Sequence, residues 1–375
     1  MLQYKVEEKP RVGLCEVRFS RQVIEDIEQV LRSGMLREGS ITERFESCFK
    51  KRVHSQYAYS VQSGTAALQL ALLSSLPVGS EVLVPAFTFI ATASSVIHAG
   101  CVPVLVDIDQ DTFLLDINDA WEKVNEKTGA VVPVHLFGNI VDYEGLLELS
   151  EEYNLRIVHD CAQALGSTLG GVETGELRDV CCYSFYPSKM ITTGEGGMVT
   201  TNNEEYAYKG RSLKNHGEES KYHHTMLGYN YRTSEIASLL GLDQMDRLDR
   251  SLEKRRIIAR IYDEAINNLK GIKPQIFSDE VNPCYNYYTI QVEDDSGLSR
   301  DRIVQGLYRM GIDTAIHYPE ALTEQPALEK YIKHRCPEAE SLCRRVFSIP
   351  IHPYMQEEDI QRVVQGLEEV TDDYF

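Results

Sequence analysis

A chain of 375 residues, 43% hydrophobic and 25% charged, is long enough for two domains or one large domain with an appendage, and has an ordinary globular composition. It carries 38 basic and 57 acidic residues, a net charge of −19, which repels nucleic acid and anionic membranes. A small phosphorylated ligand stays open, because a local cup of backbone N–H groups at a helix N-terminus overcomes the global field.

The first eleven residues mix Lys, Glu and Arg without an apolar core, so no signal peptide is expected. The most apolar runs, Val82 to Ile90 and Ala130 to Leu136, are too short to span a bilayer. The nine cysteines are irregularly spaced, with neither CxxC pairs nor His clusters of ligand spacing, and read as buried free thiols rather than a metal or disulfide framework. These signs point to a soluble cytoplasmic protein with no metal.

From residue 57 to about 202, short β-branched runs alternate with helical patterns. The expected strands are 57–62, 81–85, 102–108, 130–136, 156–161, 180–186 and 197–201, with helices at 65–75, 91–98 and 143–153. Alternation of near-continuous apolar strands with helices predicts an α/β fold with a mostly parallel sheet covered on both faces. Such sheets bind ligands at the carboxyl ends of their strands. After residue 233 a long amphipathic pattern (Ile236 to Leu269) leads into a strand at 287–292, a helix at 300–310, and a closing strand and helix at 345–349 and 357–370. The division expected is a large α/β domain over 1–250, with an N-terminal arm over 1–20, and a smaller C-terminal α+β domain over 251–375.

Four features lie just past expected strands. Lys189 follows the strand that ends before Pro187; alone, a loop lysine is a solvated residue. Asp160 ends the strand Ile157-Val158-His159-Asp160, where an acid is costly unless something cationic meets it, and Gln163 lies three residues on. Ser63-Gly64-Thr65 joins a strand to a helix, as an anion-binding turn or a plain N-cap would. Phe89 follows the next strand as a flat apolar wall or a core residue. Together they supply an amine, a carboxylate, an anion cup and an aromatic face, which are the needs of pyridoxal 5′-phosphate (PLP) chemistry.

The sequence resembles the DegT/DnrJ/EryC1/StrS family of PLP-dependent sugar aminotransferases, of the aspartate-aminotransferase-like fold type I. The resemblance rests on SGTAALQLAL (63–72), PAFTFIATASSVIHAGCVPVLVDID (85–109), VHDCAQALGS (158–167), YSFYPSKMITTGEGGMVTTN (183–202) and LGYNYRTSEIASLLGLDQMDRL (227–248), and covers nearly the whole chain. It implies that Lys189 forms the Schiff base, Asp160 partners the pyridine nitrogen, Phe89 stacks on the ring and Gln163 contacts the ring hydroxyl. Gly64, Thr65 and Ser184 would hold the phosphate. Asn230 would reach the phosphate of a partner subunit, which makes the expected assembly a homodimer with shared sites.

The resemblance further implies transfer of an amino group, from glutamate, to a keto-sugar linked to a nucleoside diphosphate, in amino-sugar or polysaccharide biosynthesis. His317-Tyr318-Pro319 is followed here by Glu320-Ala321-Leu322-Thr323 where the family often has Pro-Leu-His, so His317 and Tyr318 stand as weak substrate contacts. The alternatives are a keto-inositol aminotransferase, a PLP-dependent sugar dehydratase and a non-enzymatic regulator. Some dehydratases of this type carry His where Lys189 stands, and a regulator would need a DNA-binding domain for which the chain has no spare length.

Overall fold

A computed structural model of the chain describes residues 11–372, so the first ten residues of the expected N-terminal arm lie outside the described residues. Seven strands form the central sheet: β1 (Tyr57–Val61), β2 (Glu81–Pro85), β3 (Val102–Val106), β4 (Thr128–Val131), β5 (Arg156–Asp160), β6 (Val180–Ser184) and β7 (Gly197–Thr201), in the order β1-β7-β6-β5-β4-β2-β3. The pairings from β3 through β6 are parallel. β7 runs antiparallel between β6 and β1, so all strands except β7 end on the same edge. The mostly parallel sheet expected from the strand pattern is present.

Strand periodicity sends alternate residues to opposite faces. Val82 and Val84 of β2 belong to one core, with the helices α3 (Gly64–Ser75) and α4 (Ala91–His98). Leu83 faces the other side, toward the helices α5 (Ile117–Lys123) and α6 (Tyr143–Tyr153). α3 is buried on nearly all sides, from Ala66 to Leu72, which accounts for its almost uninterrupted apolar sequence. Beneath β6 and β7, Tyr183 and Met198 pack with Phe45 and Phe49.

Several boundaries differ from the sequence pattern. β4 stops at Val131 although the apolar run continues to Leu136. Pro133 has no N–H to donate, and only Val134 pairs with β5, at Asp160, before Phe137 (φ 62°) and Gly138 (φ 103°) turn the chain away. The runs expected to 108, 161 and 186 end as strands at Val106, Asp160 and Ser184, freeing the following residues for the loops that form the site. The long pattern after residue 233 is two helices, α8 (Glu235–Met245) and α9 (Leu248–Ile266), separated at Asp246 and Arg247. Helices α1 (Arg21–Ser33), α2 (Ser40–Arg52), α5 and α7 (Glu204–Lys214) were not evident in the pattern; α1 buries Val23 and Val30, packs Ile27 beside them and leaves Ile24 and Leu31 exposed.

A second sheet of three antiparallel strands, β8 (Ile272–Pro274), β9 (Tyr288–Val292) and β10 (Val346–Ile349), is the smaller C-terminal β-rich unit. Its core contains Ile303 and Leu307 of α10 (Arg300–Arg309), and Ile360, Val363 and Leu367 of α11 (Glu357–Asp372). α9 spans both cores: Leu248 and Leu252 pack under the large sheet, Ile258 and Tyr262 in the smaller unit. Val12 docks on the smaller unit through its amide to Gly311 O (2.9 Å) and its carbonyl from the Asp313 amide (2.9 Å). No helix among the described residues is long and apolar enough to cross a membrane.

Leu252 is 2% exposed and sits so close to Gly166 that a Cβ there would meet its Cδ1 at 2.6 Å. Leu252→Ala should therefore destabilise the chain by about 2–5 kcal/mol in urea unfolding, whereas Ile257→Ala, on the exposed side of the same helix, should cost under about 1 kcal/mol.

Candidate active site

The carboxyl edge of the sheet gathers the residues singled out from sequence. β5 ends in Asp160, and β6 ends at Ser184 and continues to Lys189. β1 leads through Ser63 into the N-terminus of α3, and β2 leads through Phe87 to Phe89 into α4. Parallel strands place these turns side by side, although the residues come from segments more than a hundred positions apart.

Asp160 is 5% exposed and held at both oxygens: Oδ1 accepts from the Ala162 amide (3.1 Å) and Oδ2 from Thr92 Oγ1 (3.0 Å). Burial pushes its pKa above the ordinary carboxylate value, opposed by those two donors and by the charge of Lys189. Lys189 lies in a turn closed by its own amide to Tyr186 O (2.9 Å). Its side chain is half-buried by surface area, yet the protein around it displaces enough water to lower the pKa to about 8, with Asp160 and Cys284 opposing the fall. Among the described residues its Nζ makes no hydrogen bond or ion pair, so amine and carboxylate feel each other's field without touching.

Gln163 lies beside this pair. Its Oε1 accepts from the Phe137 amide (2.9 Å), which fixes the amide orientation and leaves Nε2 to donate to the Tyr318 hydroxyl (3.2 Å). Tyr318 also lies 6.0 Å from the ring of Phe89, which is 56% exposed. An exposed Phe at the mouth of a buried strand is not serving as core. Gly64 backs directly onto Ser184: a Cβ on Gly64 would come within 2.7 Å of the Ser184 Cβ. Ser63 caps α3 through the Ala66 amide (3.1 Å), and Gly64 and Thr65 present their N–H groups at that helix N-terminus.

His317 stacks at 4.3 Å on Tyr287, and burial followed by the Lys189 charge lowers its pKa to about 4, so it is neutral at physiological pH. Asn230 is exposed, in a loop whose backbone bridges to Asn215, and makes no hydrogen bond to the other residues of this group, although the carbonyl of the next residue, Tyr231, accepts from the Gln62 amide (3.0 Å) beside Ser63. Sequence reasoning did not single out Thr92, Phe137, Cys284, Ser188 or Tyr287. Thr92 holds Asp160, the Cys284 thiol donates to Gln163 O (3.1 Å), and the Tyr287 hydroxyl donates to Ser188 (2.7 Å) beside Lys189. The only sequence trace of Thr92 is its place one turn after Phe87-Thr88-Phe89, on the helix that leaves the same strand end.

The Asp160 charge opposes the desolvation of Lys189. In the protein freed of cofactor, Asp160→Asn should therefore move the Lys189 pKa below about 8. The pH dependence of Lys189 acetylation by competitive acetic anhydride labelling measures this, and an unchanged or raised value contradicts the coupling.

The sequence matches the DegT/DnrJ/EryC1/StrS aminotransferase family over residues 18–368. It is 34% identical over 342 residues to the GDP-perosamine synthase of Escherichia coli O157:H7, covering 90% of this chain and 92% of that protein. It is 37% identical over 303 residues to the UDP-N-acetyl-3-dehydro-alpha-D-glucosamine 3-aminotransferase of Acidithiobacillus ferrooxidans, covering 80% of each. The PLP-form of Spr1654 from Streptococcus pneumoniae superposes with a TM-score of 0.89 at 28% identity, covering 97% of this chain and 100% of that one. The chain belongs to the DegT/DnrJ/EryC1/StrS family of PLP-dependent aminotransferases, of fold type I.

Proposed function

We propose that this aminotransferase uses Lys189 and Asp160 as its catalytic pair, and that it moves an amino group from L-glutamate to a keto-sugar carried on a nucleoside diphosphate, in amino-sugar and polysaccharide biosynthesis. The observation that carries the reading is the desolvated, uncommitted Lys189 amine in the field of Asp160.

The residues present fit PLP. The Gly64–Ser184 approach leaves no room for a Cβ and exposes backbone N–H groups at the α3 N-terminus, as a phosphate requires. Gly64, Thr65 and Ser184 would hold that phosphate, Phe89 would cover the ring, Gln163 Nε2 would face the ring oxygen, and Asp160 would hold the ring nitrogen. When bound, the cofactor supplies an electrophilic carbon for the amino group and a cationic ring that withdraws electrons.

The chain's own task is proton handling and positioning. With a pKa of about 8, Lys189 Nζ both takes and returns a proton near neutral pH, which an ordinary lysine does poorly. The Ala162 amide and Thr92 favour the anionic form of Asp160 against its burial, which suits it to retain a proton on its partner nitrogen. Neutral His317 lies within reach of the Lys189 charge and packs against Tyr318.

Two of the relatives named above are named for GDP- and UDP-linked sugars, which favours a nucleotide-linked acceptor. The exposed Asn230, which makes no hydrogen bond to the site residues of its own chain, suits a homodimer in which it reaches the phosphate of the partner's site. The cysteines, seven of them buried and every one a free thiol, suit the cytoplasm.

A panel of UDP- and GDP-linked 3-keto and 4-keto sugars, incubated with glutamate and read by mass, should give one aminated product. Lys189→Ala should lower turnover by at least about 10³-fold. Product formation at the wild-type rate by that variant would refute the assignment.

A further inference from the structure

Behind Asp160 lies a pair of hydroxyls that neither the helix nor the core requires. Thr88 and Thr92 are 4% and 1% exposed, their Oγ1 atoms are 3.1 Å apart, and Thr92 Oγ1 is 3.0 Å from Asp160 Oδ2. Thr92 stands in the first turn of α4, but that helix has no side-chain cap, and neither hydroxyl bonds one of its amides. Two valines would fill nearly the same volume in this apolar setting, where a hydroxyl without a partner is a liability. The partners these hydroxyls have are each other and the carboxylate.

The direction of the chain follows from counting protons. An ionised Asp160 only accepts, so the single Thr92 hydroxyl proton goes to Oδ2, and Thr88 must then donate to Thr92. Oδ1 meanwhile takes the Ala162 amide, a donor fixed in the backbone. One oxygen is thus gripped from the turn after β5 and the other from the turn after β2. Each keeps a lone pair available for another donor. Phe89 lies between Thr88 and Thr92, so the segment that presents the aromatic face also carries the hydroxyls.

We propose that Thr92, with Thr88 behind it, is a positioning residue: the hydroxyl chain holds Asp160 ionised and in one orientation for the ring nitrogen of the bound cofactor. The inference rests on the reading of Asp160 given above. It concerns the carboxylate alone and is independent of the sugar or the amino donor.

The test compares Thr92→Val, Thr92→Ser, Thr88→Val and Asp160→Asn with the wild type. The first readout is the PLP dissociation constant of the apoprotein by equilibrium dialysis. Thr92→Val should weaken binding about tenfold and Thr88→Val about threefold, while Thr92→Ser, which keeps the hydroxyl, should stay within about twofold. The second is the pH profile: removing a donor from Asp160 raises its pKa, so the acid limb of kcat should move up by about one unit in Thr92→Val, with KM for both substrates unchanged.

Wild-type affinity and an unshifted acid limb in Thr92→Val overturn the proposal. If that variant does not fold, Thr88→Val decides it, and wild-type behaviour there on both readouts is equally fatal. Loss in Asp160→Asn without loss in Thr92→Val removes the hydroxyl chain and spares the Asp160 reading. No loss in Asp160→Asn removes both.

Discussion

The site depends on keeping an amine and a carboxylate out of water without letting them close on each other. A direct pair would quench both charges and return each group to its ordinary titration. Here Asp160 is secured by the Ala162 amide and Thr92, and Lys189 is held in its own turn with its amine free among the described residues. The two remain coupled through the field alone. Desolvation lowers Lys189 to about 8 and the Asp160 charge limits the fall, which leaves the amine able to exchange a proton near neutral pH.

The sheet makes this separation possible. Strands β5 and β6 are parallel neighbours, with Asp160 at the end of β5 opposite Cys182 and β6 running two residues further to Ser184, so Asp160 and the segment leading to Lys189 leave the core on the same edge. Their backbones are locked by hydrogen bonds, which prevents the side chains from drifting together. The antiparallel β7 lets β1 join the same edge and bring the N-terminus of α3 close to Ser184, where only a glycine fits at position 64. The departure of the chain from β4 at Pro133 serves the same end, because the turn at Phe137 and Gly138 delivers the amide that orients Gln163.

The C-terminal part of the chain contributes as well as the sheet. Tyr287 and Cys284 precede β9, and His317 and Tyr318 follow α10, yet Cys284, Tyr287 and Tyr318 pack with the cores of the large sheet rather than with the smaller unit. Gln163 ties two distant segments together, since its amide is fixed by Phe137 and ends on Tyr318. Tyr318 therefore has a structural tie of its own, beyond the substrate contact expected of it from the sequence.

The sequence by itself determined the alternation of strands and helices, the edge on which the site lies, and the identity of the residues at each strand end. Apolar periodicity is local and survives without any knowledge of partners. Periodicity did not determine where strands stop: β4 ends before Pro133, inside its own apolar run, and β5 and β6 end where the chain turns into the loops of the site, which the apolar pattern does not mark. Nor could it reveal Thr92 or Tyr287, which look like ordinary core residues in sequence. Their roles arise only when segments distant in the chain are brought within 3 Å, and hydrogen bonds across such gaps leave no periodic trace. Helices α1 and α2 bury only two or three residues each, against α8 or the sheet; in α1 the spacing of Val23, Ile27 and Val30 behind the Ser20 cap is nonetheless a local signal, whereas α2 depends on Phe45 and Phe49 packing under the sheet.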